Sequence, residues 1–308
     1  MTELKSSPHI HSSETTKKIM WSVVISLLPA ALGSIYFFGP SALMVILTCI
    51  ISCYIGEVFS YLVFYRKIKT FDGSSVVTGI LLAFVLPPSI PLWMAGIGGF
   101  LAIFLVKELF GGIGFNIFNP ALAARAILTV SFPLEMTQFV VPLSYRVDAI
   151  TTATPLGILK EGIGGQLPSL WDMFIGNRAG CLGETSILLL LIGAIFLLSR
   201  RIITWHIPVS YILTVAVITG ISGQNPVFHI LAGGLILGAF FMATDYVTSP
   251  ITPKGKIIFG IGCGIITSLI RLKGSYPEGV AYSIIFMNMF VPLIDKYTLP
   301  KKFGAVKK

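Results

Sequence analysis

Apolar runs recur about ten times along this chain of 308 residues, and nothing else in the sequence restricts its fold so severely. Hydrophobic residues make up 55% and charged residues only 11%. A soluble domain carries about a quarter of its residues as Asp, Glu, Lys and Arg, so this chain cannot coat a globular surface with charge. Lipid must solvate most of it. At about 20 apolar residues per crossing, the runs allow about ten transmembrane helices and leave no room for a large extramembrane catalytic domain. The fold class expected is an all-α polytopic membrane protein.

The net charge of +9 comes from 22 Lys and Arg against 13 Asp and Glu. In a soluble protein such an excess suggests nucleic acid. Here the basic residues sit in short clusters beside apolar runs, so they read as a topological signal and no nucleic-acid partner is expected. With ten crossings, Lys17, Lys18, Arg66, Lys67, Lys69, Lys107, Arg200, Arg201, Lys254, Lys256, Lys296 and the basic C-terminal end fall on one side. The other side receives Arg146, Lys160, Arg178, Arg271 and Lys273. The positive-inside rule then makes both termini cytoplasmic and puts the long polar stretch on the outer face. Cys49, Cys53, Cys181 and Cys263 form no CxxC pair, and Cys49 and Cys53 read as small packed thiols on one helix face.

The organisation expected is a cytoplasmic tail (1–18), a first membrane repeat (19–132), an outer-face loop (133–184), a second membrane repeat (185–295) and a basic cytoplasmic tail (296–308). The run at 75–86 stops at Pro87-Pro88. At 1.5 Å per residue it is too short to cross about 30 Å of hydrocarbon and reads as a half-helix. The segment TGILLAFVLPPSIPLW from Thr78 resembles AGGLILGAFFMATDYVTSP from Ala232, and FNPALAARAI from Phe118 resembles SYPEGVAYSII from Ser275. Five crossings per half is an odd number, so the second half sits inverted, with a site expected where the broken helices meet. The competing reading is a chance likeness between Gly-rich apolar segments.

Few ionisable groups interrupt the apolar runs. Glu57 lies inside the second run, where a charge is costly, and it marks either an ion path or an internally hydrogen-bonded carboxyl. Asp245 follows the second half-helix, where a carboxylate opposes the helix dipole and needs a cation or donors. Asp295 closes the last run beside Lys296, and Arg125 either binds an anion or satisfies a carboxylate. No catalytic constellation and no metal-ligand cluster is apparent. Asp148, Thr151, Thr152 and Thr154 belong to the stretch DAITTATPLG, which by itself reads only as a turn.

That stretch carries a resemblance. TTATPLG resembles the Ser/Thr-Gly-Ala-Thr segment through which membrane flavoproteins attach FMN by a phosphoester to threonine. CYIGEVF, LPPSIPLW, KELFGGIGFNIFNPALAARA, ATDYVTSP and YPEGVAYSIIFMNMFVPLID are similar to the blocks of the RnfD family, the D subunits of the Rnf ion-translocating oxidoreductase complex. That family is homologous to the B subunit of the sodium-pumping NADH:quinone reductase. The resemblance implies an electron-carrying component of a ferredoxin:NAD oxidoreductase coupled to sodium or proton movement, inactive alone. It implies covalent FMN on Thr154, with Thr151, Thr152 and Asp148 around it, and Thr152 standing where Gly is usual. It implies ion-coupling roles for Glu57, Asp245 and Asp295. Non-covalent riboflavin, a partner with its own covalent FMN and a prokaryotic cytoplasmic membrane belong to the same implication. A small-solute channel or transporter without redox activity is the alternative, because inverted repeats with half-helices serve transporters equally.

Overall fold

The computed structural model describes residues 15–65, 71–143, 151–161, 167–274 and 276–300. Helices dominate it. In chain order, α1 (Thr16–Phe38) and α2 (Pro40–Ser60, extended by a π-helical turn Tyr61–Tyr65) are followed by the short α3 (Ser74–Phe84). Next come α4 (Leu92–Ile103, with a π-helical turn Phe104–Glu108) and α5 (Pro120–Ser131). The stretch after α5 holds α6 (Pro133–Met136), α7 (Pro155–Glu161), α8 (Leu170–Ile175) and a 3-10 turn Leu182–Glu184. The later helices are α9 (Ile187–Ser199), α10 (His206–Ile221), α11 (Pro226–Leu231), α12 (Leu235–Leu237, with a π-helical turn Gly238–Met242), α13 (Pro253–Lys273) and α14 (Val280–Thr298).

The helix starts are written in short polar boxes. Asn119, Asn225 and Thr252 each precede a proline at the first helical position, and their side chains accept from backbone N–H groups of α5, α11 and α13. Such residues satisfy donors that the helix itself cannot, and the proline lacks the N–H that would otherwise be orphaned. In hydrocarbon this matters more than in water, because no solvent takes up the slack.

Three helices, Thr16–Phe38, Pro40–Phe64 and Pro253–Lys273, are long and apolar enough to cross a membrane. Shorter apolar helices, α3, α5, α9 and α10, pack among them. Large apolar side chains point outward on the long helices, among them Ile51, Ile55 and Phe59 on α2 and Ile258, Ile265 and Leu269 on α13. Exposed to water these faces would aggregate; exposed to acyl chains they are matched, and the chain is a multi-pass membrane protein.

Close helix contacts use small residues. A Cβ on Gly99 of α4 would meet Cys49 O of α2 at 3.0 Å, and one on Gly264 of α13 would meet Tyr211 O of α10 at 3.0 Å. Association without a hydrophobic drive between helices depends on such tight approach. The two buried thiols expected to be packed are so: Cys53 Sγ donates to Gly99 O at 3.3 Å and Cys49 Sγ lies 3.9 Å from Ala95 O.

Two sequence expectations are modified. The Thr-rich stretch is not simply a turn: Thr151–Thr152 (β2) pairs antiparallel with Phe139–Val140 (β1), with Phe139 opposite Thr152. Thr is a good strand residue, and this short ribbon is the only strand structure among the described residues. The second half-helix is also irregular: after the non-helical Ala232, Gly233 and Gly234, with Gly233 at φ 64°, only Leu235–Leu237 is α-helical before the π-helical turn Gly238–Met242.

Candidate functional site

Two cavities meet the central helix α5 at different heights. The first is lined by Ser74 and Thr78 of α3, by Lys107, Asn116, Asn119 and Ala121, and by Phe240, Thr244 and Asp245. The second is lined by Arg125 and Thr129 of α5, Thr154, Arg178, Glu184, Gly233, Tyr276, Glu278 and Tyr282. Ala121 and Arg125 are one helical turn apart, about 6 Å at 1.5 Å per residue. Leu122 and Ala124, which lie between Ala121 and Arg125 on α5, are fully buried, so about one turn of packed protein separates the two linings along this helix.

The second cavity is built by charge. Arg125 Nη2 donates to Glu278 Oε2 at 2.6 Å, and Arg125 Nη1 lies 3.9 Å from Glu184 Oε1. Glu278 Oε1 also accepts from Gly234 N–H at 2.8 Å. Two further arginines close the end of α11: Arg271 donates to His229 O at 2.6 Å and Ala232 O at 3.0 Å, and Arg178 donates to Leu231 O and Glu184 O. The carbonyls of residues 229, 231 and 232 form the negative end of the half-helix, so guanidinium groups stabilise both charge and hydrogen bonding there. A Cβ on Gly234 would meet Glu278 Oε1 at 2.9 Å and Glu184 Oε1 at 3.2 Å, which is why this position carries only hydrogen.

The two carboxyls differ. Burial alone would raise Glu278, but Arg125, then a hydrogen bond from Glu184 and the Gly234 N–H, hold it well below the usual carboxylate range. Burial, and then the neighbouring Glu278 charge, push Glu184 up. Glu184 is 5% exposed, and its Oε1 has no hydrogen-bond donor among the described residues. Cys181, 3.7 Å from Arg125 Nη2, is pushed up by burial and stays a thiol.

Thr154 stands at the rim of this cavity, half-buried, immediately before α7. Its Oγ1 accepts from Gly157 N–H at 3.2 Å, and Ile158 N–H donates to its carbonyl at 2.9 Å. Lys160, further along α7, reaches Tyr276 O at 2.6 Å and fastens the helix across the cavity. Thr151 and Thr152 lie in β2, which leads into Thr154. Asp148 lies outside the described residues.

At the first cavity, Glu57 is 3% exposed and Lys107 4%. Lys107 Nζ lies 3.0 Å from Glu57 Oε1, 3.4 Å from Glu108 Oε1 and 2.7 Å from Ser74 Oγ, whose hydroxyl donates to Asp72 at 2.6 Å. Tyr61 O–H donates to Glu57 at 3.3 Å. Glu57 is therefore an ion-paired, hydrogen-bonded carboxylate next to the cavity wall. Lys107, counted by sequence among interfacial charges, is a buried ion-pair partner instead, because the π-helical turn carries it inward. Asp245 lines the same cavity and accepts from Thr248 Oγ1 at 3.1 Å. Asp295 is apart from it, near the end of α14, accepting from Ile251 N–H at 3.1 Å.

Asparagines tie the breaks together. Asn119 Nδ2 donates to Met242 O at 3.3 Å. Asn288, with its amide turned to satisfy both ends, accepts from Asn119 N–H at 3.1 Å and donates to Thr248 O at 3.0 Å. The fold thus brings Glu57 and Asp245 toward one cavity and Thr154 and Arg125 to the other. Sequence reasoning passes over Glu184 and Glu278 as site residues. Their one signal is a lone carboxylate beside glycine, in Leu182-Gly183-Glu184 and Glu278-Gly279.

A family model described as the NQR2, RnfD, RnfE family matches residues 3–304. The chain is 51% identical to the D subunit of the proton-translocating ferredoxin:NAD(+) oxidoreductase complex of Clostridium ljungdahlii, over 98% of this chain and 96% of that protein. It is 48% identical to the D subunit of the Na(+)-translocating ferredoxin:NAD(+) oxidoreductase complex of Acetobacterium woodii, over 99% and 96%. To the D subunit of the ion-translocating oxidoreductase complex of Aliivibrio salmonicida it is 35% identical over 99% of each chain. With near-complete coverage in every comparison, and with the broken helices and polar blocks in place, the chain belongs to the NQR2, RnfD, RnfE family.

Proposed function

We propose that this chain is the membrane-embedded, electron-carrying RnfD component of an Rnf-type ferredoxin:NAD oxidoreductase, passing electrons through FMN esterified to Thr154 and coupling them to sodium or proton translocation. The names of relatives covering nearly the whole chain support the complex and the reaction. The observation that carries the cofactor is the second cavity. Thr154 stands on its rim beside an excess of guanidinium over carboxylate: Arg125, Arg178 and Arg271 against Glu184 and Glu278.

That donor set fits the group. A phosphodiester on Thr154 brings one negative charge, which the surplus guanidinium charge offsets in a low-dielectric site. Tyr276, Tyr282 and Phe139 offer aromatic faces for an isoalloxazine ring. Bound there, FMN supplies one-electron carriage, which no side chain here provides. The residues of the chain do the rest: Arg125 and Arg178 hold the charge, and Lys160 keeps α7, with Thr154 before it, against the α13–α14 connection.

The finer architecture we propose is two inverted repeats. The pairing of α2 with α4 and of α4 with α5 has counterparts in α10 with α13 and α13 with α14, while α1 packs on α9 across the pseudo-axis. The basic clusters then set both termini in the cytoplasm, with the first cavity facing it and the Thr154 cavity facing outward. In the first cavity Asn116, Thr244 and Lys107, set against apolar walls, suit a non-covalent riboflavin. Glu57 and Asp245 are the ion-coupling carboxylates we place beside it, with Asp295 a third candidate. The partners are the other Rnf subunits, including one with its own covalent FMN.

The test is denaturing electrophoresis of the chain from the assembled complex. Flavin fluorescence should travel with the wild-type band and vanish in Thr154→Val. Fluorescence surviving that change would move the attachment site. Absence of flavin from the wild-type band, together with solute flux in liposomes, would favour a transporter.

A further inference from the structure

The geometry points to Glu184 as the group that takes up a proton when an electron enters the flavin at Thr154, an inference that rests on the attachment proposed above. Five charged side chains converge on the break between α11 and α12, and four of them have strong partners. Arg125 has Glu278, Arg178 and Arg271 have the carbonyls of α11, and Glu278 has Arg125 and the Gly234 N–H. Glu184 differs. It is buried, it lines the same cavity as Thr154, its Oε1 accepts no hydrogen bond from the described residues, and its neighbours are Arg125 at a long 3.9 Å and the Glu278 carboxyl, with which only a protonated Glu184 can share a hydrogen bond.

A buried carboxylate oxygen without a donor is costly, at about 1–3 kcal/mol or more for a charged group. A proton lowers the cost, because a neutral carboxyl is cheaper to bury than a charge, and burial with the adjacent Glu278 charge favours it, so uptake on reduction belongs to the pH range above the raised value of the oxidised state. The groups facing Glu184 are Arg125 from α5, Arg178 and Cys181 from its own segment, Glu278 from the turn before α14 and, further off, Arg271 from α13. Of these Cys181 is held neutral by burial, the arginines keep their charge, and Glu278 is fixed as a carboxylate. Glu184 is left as the one carboxyl of the cluster poised to change charge.

The charge balance assigns the role. With Glu184 ionised, the cluster carries one net positive charge, enough for the phosphodiester alone. With Glu184 protonated it carries two, enough for the phosphodiester and one added electron. The electron comes from ferredoxin oxidation through the partner subunits. The proton comes from bulk solvent relayed through cavity water: an O–H bond forms at Glu184 as an O–H bond of a hydronium ion breaks, and that ion leaves as neutral water. Reoxidation reverses both transfers, so the net charge of the cavity is the same before and after.

The experiment is a redox titration of the flavin on this chain in the intact complex at a series of pH values, for wild type, Glu184→Gln and Glu184→Asp. Where Glu184 titrates, each tenfold fall in proton concentration should lower the wild-type reduction equilibrium up to tenfold more than in Glu184→Gln, about 59 mV per pH unit for one electron. Glu184→Asp should restore the slope. Equal slopes in wild type and Glu184→Gln, with flavin present in both, overturn the inference and leave the attachment site standing. A wild-type chain without flavin overturns the attachment and this inference together. If Glu184→Gln fails to assemble, the infrared difference spectrum of wild type with isotope-labelled glutamate decides it: a protonated-carboxyl band gained on reduction supports the assignment, and its absence at every pH overturns it.

Discussion

The Thr154 cavity and the Asp245 cavity touch α5 one turn apart, yet they solve the burial of charge in opposite ways. Around Thr154, guanidinium groups outnumber carboxylates and reach across the whole fold: Arg125 and Glu278 are 153 positions apart in sequence. Around Asp245 and Glu57, carboxylates outnumber the buried ammonium of Lys107, and the contacts to Glu57 come from Tyr61 and Lys107. Planar guanidinium suits a fixed anion such as a phosphodiester, because it binds by geometry as well as charge. A flexible ammonium among several carboxylates suits a site where a cation comes and goes. On the function proposed above, the Thr154 cavity retains its group and the Asp245 cavity exchanges its ion.

That contrast predicts a graded set of responses. The largest is expected from Arg125→Leu, which leaves Glu278 and Glu184 buried without their shared cation. Removing one partner of a buried pair costs about 3–5 kcal/mol, so thermal unfolding of the purified complex should show the chain destabilised by that order. A loss under about 1 kcal/mol would mean that the cluster is not held by charge. Next comes the exchanging cavity: Glu57→Gln should weaken the apparent affinity of turnover for the coupling ion about tenfold, as expected for one charged contact of about 1.5 kcal/mol. Asp245→Asn should follow, and Asp295→Asn, remote from the cavity, should have the smallest effect of the three. A larger effect from Asp295 would separate ion coupling from the first cavity.

The smallest response is a pH dependence with a definite sign. Glu184 is raised by burial and by Glu278, so the folded chain binds its proton more tightly than the unfolded chain. Its contribution is complete below the ordinary carboxylate value and is lost as pH rises through the raised one. Glu278, held low mainly by Arg125 against its burial, contributes above the ordinary value and loses that only in strong acid. Melting temperature should therefore decline from mildly acidic to alkaline pH in wild type and decline less in Glu184→Gln.

Much of this is legible in the amino-acid sequence alone. The half-helix α3 announces itself by length and by Pro87-Pro88, and Glu57 by its place inside an apolar run. Thr154 stands out only by resemblance, since a threonine before proline has no chemistry of its own. What stays hidden is pairing at a distance. Lys107 looks like any basic residue near a helix end until a π-helical turn rotates it inward. Arg271 looks like a loop charge until its guanidinium is found on His229 O and Ala232 O. No local periodicity encodes a contact between α13 and a broken helix 42 positions upstream. The relatives carry a similar lesson: one is named for protons and another for sodium at nearly equal identity to this chain, so overall likeness does not decide the ion.

The thin partition around α5 has an electrical meaning. With the two cavities opening to opposite faces, as proposed, most of the membrane voltage falls across about one helical turn of packed protein rather than across about 30 Å of hydrocarbon. Moving one elementary charge through 100 mV takes about 2.3 kcal/mol however short the path. A hop from one cavity to the other would perform nearly all of that work in a single step, making the fold a narrow capacitor whose plates are two clusters of oppositely weighted side chains.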